Sequence, residues 1–244
     1  MANAKRFRGQ LMIGLYMANA AAIAYAGLGN ATKCDLAHAI QSDKVPNMMD
    51  ISGGSADIYD EVTDVTLDLT LTELTPANIA RAVQGLSTLV AADLAVVAEE
   101  HQASPGSFMP FDFLADLAVP PVLKKGATTF VAGTDYTVSE HGVDWLAPAG
   151  LVAGDDVTVD YTRANQTLIH ALTNAGAFYA LMLRGHDQVT GAPVMVRFNR
   201  VKLPPAATLG LLSDKFGTLN LKLTLLADPA VSGVGLSKFY SLLI

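Results

Sequence analysis

The stretch from residue 63 to residue 85 changes from the periodicity of a strand to that of a helix within a few residues. In its first half, apolar side chains alternate with short polar ones. A period of two places the apolar set on one face of a strand and the polar set on the other. The apolar positions are Val65, Leu67, Leu69 and Leu71, and the polar positions are Thr66, Asp68, Thr70 and Thr72. This half therefore predicts a strand with one buried face and one wet face.

The second half of the stretch has the signals of a short capped helix over residues 75–84. The Thr75 side chain can cap this helix, and Pro76 fits its first position. We expect the packed face to carry Ile79, Ala82 and Val83. We expect Gly85 to end the helix in the left-handed conformation. A half-exposed strand followed by a short helix needs a sheet to lie on, so we predict a mainly β (α+β) fold with one short flanking helix.

The composition indicates buried surface beyond that of an ordinary monomer. Only 16% of the 244 residues are charged, whereas soluble domains carry about 25%. The deficit predicts burial either in a membrane or between subunits. The net charge of −7 argues against a nucleic-acid binder, which would need lysines and arginines to neutralise phosphates. The single cysteine, Cys34, excludes an intrachain disulfide and is expected to be a small core residue.

Negative charge is concentrated between Asp35 and Glu73, where nine acids accompany one base, Lys44. Within this segment, residues 41–62 have no apolar period and include a proline and two glycines. We predict that they form a long loop. Long loops are uncommon in compact domains unless they have a function, so we expect this loop to reach a partner.

The N-terminal region has two interpretations. Lys5, Arg6 and Arg8 precede an uncharged stretch, as in a secretory signal or anchor with a cleavage site at residues 24–26. The alternative is a hairpin, with strands at residues 11–17 and 21–28 joined by a turn at 18–20. We favour the hairpin, because glycines and an asparagine interrupt the apolar run.

The rest of the chain is dominated by strand patterns. Residues 86–100 are ambiguous between helix and strand, and residues 206–212 favour a short helical turn. Strands are predicted at 32–40, within 128–162 as a meander of short strands, and at 177–184, 193–202 and 217–225. We therefore expect a core made of residues 1–85 and 163–244, with residues 86–162 as a β-rich insertion or outer elaboration of the same domain.

Residues 218–224 repeat the pattern of residues 66–72. Both segments alternate leucines with Thr, Asn, Asp or Lys side chains. We expect both strands to be buried on one face and wet on the other. Lys222 is the one base on these polar faces, and we expect a nearby acid to offset it.

Residue types that could support catalysis or metal binding do not converge. In Glu99-Glu100-His101, adjacent residues point to different faces, and Asp155, Asp156 and Asp160 lack the spacing of a calcium loop. A hydrolase on a β scaffold would need a constellation that the sequence does not offer. We therefore predict no enzyme activity, no cofactor and no metal.

The order of several segments resembles a known family. Gly29-Asn30-Ala31-Thr32 is followed by the acidic segment, by residues 67–74 and by Thr75-Pro76-Ala77-Asn78-Ile79-Ala80; later come Tyr136 within residues 133–138, Val159-Asp160-Tyr161, and residues 209–215 before the last strand pair. This order resembles the tail tube (major tail) proteins of long-tailed bacteriophages. The departure is residues 86–162, which exceed the minimal tube fold.

The resemblance implies a β-sandwich or rolled sheet with a flanking short helix. It implies that copies form a ring, usually of six, in which inner sheets join into one barrel, and that rings stack into the tail tube of a virion. DNA would pass through without specific binding. The partners would be further copies, the tape measure protein and the tail terminator, with assembly in the host cytoplasm and no role for a membrane. The acidic loop would then reach a neighbouring subunit or the next ring.

On this reading the two polar strand faces line the bore. The lumen-facing residues would be Thr66, Asp68, Thr70, Thr72, Thr218, Asn220, Lys222 and Thr224. The alternative is that these faces are exposed on the outside of the protein. A different class of function, a secreted or surface β-rich binding module, is supported by the signal-like N-terminus.

Overall fold

The computed structural model describes residues 5–49, 51, 53–212, 214 and 216–244. Strands account for 51% of the residues and helices for 4%, which confirms a mainly β protein. The chain divides into two compact units. Unit 1 consists of residues 1–86 and 169–244, and unit 2 consists of residues 87–168.

Unit 1 is built on one antiparallel sheet of eight strands in the order β2-β1-β14-β15-β16-β4-β3, with β17 paired to β15. Its elements are β1 (Phe7–Leu15), a 3-10 turn (Ala20–Ala22), β2 (Ala26–Gly27), β3 (Ala31–Pro46), β4 (Ser55–Leu71), α1 (Pro76–Ala82), β14 (Phe178–Asp187), β15 (Pro193–Lys202), β16 (Leu219–Leu225) and β17 (Tyr240–Leu243). Apolar side chains from β1, β14, β15, β16 and β4 share one core.

The N-terminal hairpin is present, although its return strand is short. Met12 and Ile13 of β1 pair with Gly27 and Ala26 of β2. The connection is longer than the predicted turn and contains the 3-10 turn, which the Asn19 side chain caps. β1 is an internal strand of the sheet, and its Leu11 and Ile13 are buried in the core.

Residues 41–62 do not form the predicted loop. β3 and β4 continue as an antiparallel pair as far as Pro46 and Ser55, with register shifts at Ala39/Ile40 and Val45/Pro46, so a two-stranded arm replaces most of the loop. We define the arm as residues 39–46 and 55–64. Every residue of the arm is exposed. With water on both faces no apolar alternation is required, and the period that signals a strand is therefore missing.

Helix α1 begins as predicted but ends differently. The Thr75 hydroxyl accepts a hydrogen bond from the backbone N–H of Asn78, and Pro76 occupies the first turn. Gln84, with a φ of 48°, takes the left-handed conformation that we assigned to Gly85. Gly85 is needed for a different reason, because a Cβ there would lie 2.5 Å from the carbonyl oxygen of His170.

Two further expectations are corrected. The ambiguous stretch after Gly85 is not helical but forms β5 (Leu86–Val90) and β6 (Ala95–Gln102). Residues 206–212 contain no helical turn and run as irregular chain beside the core, against which Ala206 and Leu209 pack. Two prolines, Pro204 and Pro205, precede this segment and favour extended backbone.

Unit 2 has its own core. Its further strands are β7 (Phe108–Pro110), β8 (Val122–Lys125), β9 (Thr128–Thr129), β10 (Tyr136–Ser139), β11 (Gly142–Trp145) and β12 (Asp156–Thr162). They form a sheet β10-β11-β7 and a sheet β6-β12-β8-β9. The buried residues include Leu123, Tyr136, Trp145, Val159 and Tyr161. Strands β5 and β13 (Gln166–His170) form a separate two-stranded sheet.

Candidate functional site

The two strands with the same sequence pattern are neighbours in the sheet. β16 pairs with β4 antiparallel, in a register that places Thr224 opposite Thr66, Lys222 opposite Asp68 and Asn220 opposite Thr70. Since residues directly opposite each other in a ladder point to the same face, the two polar sets merge into one surface. We call this surface the polar face.

The opposite face of the same two strands lies in the core of unit 1. Each apolar side chain there is at most 5% exposed. These residues are Val65, Leu67, Leu69, Leu71, Leu219, Leu221, Leu223 and Leu225. The prediction that both strands are buried on one face and wet on the other is confirmed.

Hydroxyl and amide groups organise the polar face. The Thr70 hydroxyl donates to the Asn220 side-chain oxygen at 2.9 Å, and the Asn30 side-chain amide donates to the Thr72 hydroxyl at 2.9 Å. Thr66, Asp68 and Thr70 are half-buried, whereas Asn220 and Lys222 are exposed. Thr218, exposed, immediately precedes β16 and therefore lies at the end of this surface.

The polar face carries charges of both signs. Asp68 is the acid that we expected near Lys222, because it lies directly opposite in the register. The neighbouring strand β3 adds Lys33 and Asp35, and the Lys33 ammonium lies 3.3 Å from Asp35 and 4.0 Å from Asp68. Within β3, β4 and β16, these two acids and two bases thus leave no net charge. Lys202 of β15, which lies opposite Thr224, adds one more base to the same side of the sheet. Sequence reasoning missed Lys33 and Asp35, although the alternation of β3 places both opposite its apolar positions.

The loop after β15 borders the polar face. Residues 204–208 and the side chains of Lys33, Asp68, Asn220 and Lys222 enclose a groove of about 420 Å³. Its walls combine prolines and alanines with hydroxyl, amide and charged groups. The polar face therefore has one flat part, along the strands, and one concave part beside this loop.

A family model with the description "Protein of unknown function UCP028589" matches residues 6–243, nearly the whole chain. The chain belongs to this family. No curated protein sequence matches it. The description of the UCP028589 family gives no activity, so an argument about function depends on the surfaces of the molecule.

The acid–base cluster of this UCP028589 protein is more convergent than its sequence indicated. Glu99 and His101 are two residues apart and share a face, and His101 Nε2 lies 2.6 Å from Glu99 Oε1. The Tyr161 hydroxyl donates to Glu99 Oε2 at 2.6 Å, and the Asp112 amide donates to Oε1 at 3.0 Å. Burial and the bond to Glu99 raise the pKa of Tyr161. Both carboxylate oxygens are occupied within the protein, so the cluster links three segments of unit 2.

The aspartates considered for calcium are engaged by lysines. Lys125 holds Asp155, and the Lys124 ammonium lies 2.6 Å from Asp160. These hydrogen bonds lower the pKa values of both carboxyl groups. Within the described ranges, no group of three or more His, Cys, Asp or Glu side chains is placed to hold a metal ion.

Two other features concern reactivity and membranes. Cys34 is half-buried against the core of unit 1, and burial raises the pKa of its thiol to about 11. It is therefore a packing residue with little thiolate at neutral pH. In the part of the chain that the structure describes, no helix is long and apolar enough to cross a bilayer.

Proposed function

We propose that this protein is a structural subunit of a bacteriophage tail, which forms rings of six copies that stack into a tail tube. The observation that carries the proposal is the polar face, where two strands of matching pattern combine hydroxyl, amide and balanced charged groups above a leucine core. In the ring, the sheets of neighbouring copies join into one barrel, and this face lines the bore.

Such a wall suits the passage of DNA. A protein gains affinity for DNA when its lysines and arginines neutralise phosphates and release counterions. On the two strands that form the polar face, the one base, Lys222, lies opposite the one acid, Asp68, and the remaining groups are uncharged. The wall therefore gives phosphates no net attraction, and DNA slides through without specific binding.

The arm supports self-assembly. Five large apolar side chains on the arm are more than half exposed: Ile40, Val45, Ile58, Tyr59 and Val62. A two-stranded ribbon without a covered face is marginally stable in water. We infer that the arm reaches a neighbouring copy or the next ring, where these side chains are covered. At about 3.3 Å per residue, its eight residues of β3 extend roughly 26 Å.

The proposed assembly is the tube of the virion's tail. The tube is built in the host cytoplasm on a tape measure protein and is closed by a tail terminator. Unit 2 forms an outer elaboration of the ring. The function is structural, and it requires no cofactor and no catalytic residue.

Electron microscopy tests this proposal directly. Negatively stained purified protein should show rings or tubes of uniform bore. An arm-less variant, in which residues 42–60 are replaced by Asn-Gly between the register partners Gln41 and Glu61, should fold and fail to stack. A wild-type protein that remains monomeric at high concentration would overturn the proposal.

Cysteine labelling tests the assignment of the bore. In a Cys34→Ala background, Thr70→Cys should react with a bulky maleimide in free subunits and resist it in assembled tubes. Thr137→Cys, on an exposed position of unit 2, is the matched control and should react in both states. Equal labelling of Thr70→Cys in both states would place the polar face on the outside.

A second candidate, a β-rich binding module, is favoured by the separate aromatic core of unit 2. A module of this kind would present its own surface to a ligand and would not need to assemble. Monodisperse monomers under the microscope, together with an unchanged elution volume of the arm-less variant, are the results that favour it.

A further inference from the structure

Unit 1 carries an apolar groove on the side of β1, β14 and β15. The groove has a volume of about 540 Å³ and is lined by Gly9, Gly185, Met195 and Leu243, with Arg8 and Arg184 also in its lining. Gly9 and Gly185 are register partners, and a Cβ on either would lie 2.2 Å from a backbone oxygen of the other strand. Neither position can therefore carry a side chain while the two strands stay this close.

The positive charge at the groove has no acidic partner among the described residues of unit 1. Arg184 donates to the neutral side chain of Gln10 at 2.8 Å. Among the described residues, neither Arg8 nor Arg184 forms an ion pair. An apolar cleft flanked by two unpaired guanidinium groups fits an apolar segment that carries carboxylates.

The arm combines exposed apolar side chains with carboxylates. Its tip places Met48, Met49 and Ile51 at 87%, 100% and 107% exposure. Asp43, Asp57, Asp60, Glu61 and Asp64 lie on the two strands behind the tip, and none of them forms an ion pair among the described residues. Methionine side chains are flexible enough to fill an irregular cleft.

We propose that the tip of the arm inserts Met48 and Met49 into the Gly9–Gly185 groove of a second copy of this chain, where carboxylates of the arm pair with Arg8 and Arg184. This inference rests on the proposed self-assembly and names the surface that receives the arm. The strands of the arm stay paired as far as Pro46 and Ser55, and every residue of the arm is exposed, so the arm does not pack on its own unit and the occupant is another molecule.

Disulfide trapping between copies tests the contact. Two chains are prepared in a Cys34→Ala background, one with Met49→Cys and the other with Met195→Cys, mixed under assembly conditions and oxidised. The expected result is a covalent heterodimer as the main product. Val189→Cys replaces Met195→Cys in the matched control, because Val189 is exposed and outside the groove, and it should give no heterodimer above background. Equal trapping at both positions would overturn the proposal.

Charge reversal gives a second, independent readout. Arg8→Glu with Arg184→Glu should raise the concentration needed for assembly about tenfold or more, and so should Asp57→Lys with Asp60→Lys. An equimolar mixture of the two reversed chains should recover much of the assembly, because each can then pair with the other. If the mixture assembles no better than either chain alone, the groove does not receive the arm.

The two proposals can fail separately. A wild-type protein that never assembles contradicts the proposed function. A wild-type protein that forms tubes while the reversed groove variant stacks normally contradicts only the arm–groove contact. Circular dichroism of each variant, compared with the wild type, shows whether the loss of assembly follows from misfolding.

Discussion

Replacing Asn78 should destabilise unit 1 more than truncating any side chain on the exposed surface of the helix. Asn78 is only 2% exposed, although it is polar and lies on a helix of seven residues. Its side-chain amide donates to the carbonyl oxygens of Leu28, at 2.8 Å, and of Glu73, at 3.1 Å. Its side-chain oxygen accepts from Arg81 at 3.0 Å. Asn78 therefore ties α1 to the N-terminal hairpin and to the end of β4.

The expected magnitude follows from the groups that lose their partners. Alanine at position 78 leaves two carbonyl oxygens and one guanidinium N–H without a partner. The Leu28 carbonyl is in a buried bond, so its full cost applies, about 1–3 kcal/mol. Water can reach the other two groups, which are partly buried, so they add about 1 kcal/mol together. The total is roughly 2–4 kcal/mol, or a fall in Tm of about 4–16 °C for a unit of this size.

Urea unfolding followed by far-ultraviolet circular dichroism measures this loss. The single tryptophan lies in unit 2, so its fluorescence reports on the other unit and serves as an internal reference. Asn199→Ala is the matched control, because that side chain makes one exposed bond to a backbone oxygen and should cost less than about 0.5 kcal/mol. An Asn78→Ala protein with the stability of the Asn199→Ala protein would refute the reasoning.

Three further outcomes are expected. Because burial raises the pKa of Cys34 to about 11, its thiol should react slowly with iodoacetamide at pH 8 in folded protein and rapidly in urea; equal rates would contradict the burial. Gly85→Ala should cost about 1–3 kcal/mol in urea unfolding, because its Cβ would overlap a backbone oxygen of β13; an unchanged midpoint would show that the strands can separate there. The hydrogen bond from Lys124 lowers the pKa of Asp160, so its stabilisation is present above about pH 4 and is lost as the pH falls through the folded-state pKa. The urea midpoint from tryptophan fluorescence should thus fall less between pH 6 and pH 3 in Lys124→Met than in wild type, and an identical fall would exclude this ion pair as a contributor.

The parts of the fold that could be predicted from sequence are those with one dry and one wet face. The alternation of β4 and β16 is legible because each leucine of these strands is buried and each polar neighbour is not. The cap of α1 is legible because Thr75 and Pro76 act through their immediate neighbours. Pairing of β16 with β4 adds what the sequence alone could not provide, since the matching patterns do not specify which strands are adjacent.

The failures also have physical causes. Residues 41–62 have no alternation of apolar and polar residues, because both faces of the arm are exposed within the subunit. Strand geometry therefore does not require an apolar face there. The burial of Asn78 could not be predicted, because a polar residue is usually exposed. Only its three side-chain hydrogen bonds offset the free-energy cost of removing it from water. The contact between Glu99 and His101 is missed when Glu99, Glu100 and His101 are considered only as adjacent residues. Residues two apart on a strand point to the same face.

The chain has few charged residues, and the structure shows where apolar residues are exposed instead. Each unit buries an apolar core, as soluble domains ordinarily do. Many other apolar residues of both units are exposed, and they include those of the arm and its tip as well as Leu242, Leu243 and Ile244 at the end of β17. Exposed apolar groups in this number are unfavourable for an isolated molecule, because apolar surface in water costs about 25 cal/mol per Å². Leu243 lines the groove that we assign to the arm, so the same contact between copies would cover both sets. The composition indicates extra burial either in a membrane or between subunits. If copies bury the arm and the groove against each other, both surfaces become inaccessible on assembly, and a protein that buries neither in solution would contradict that interpretation.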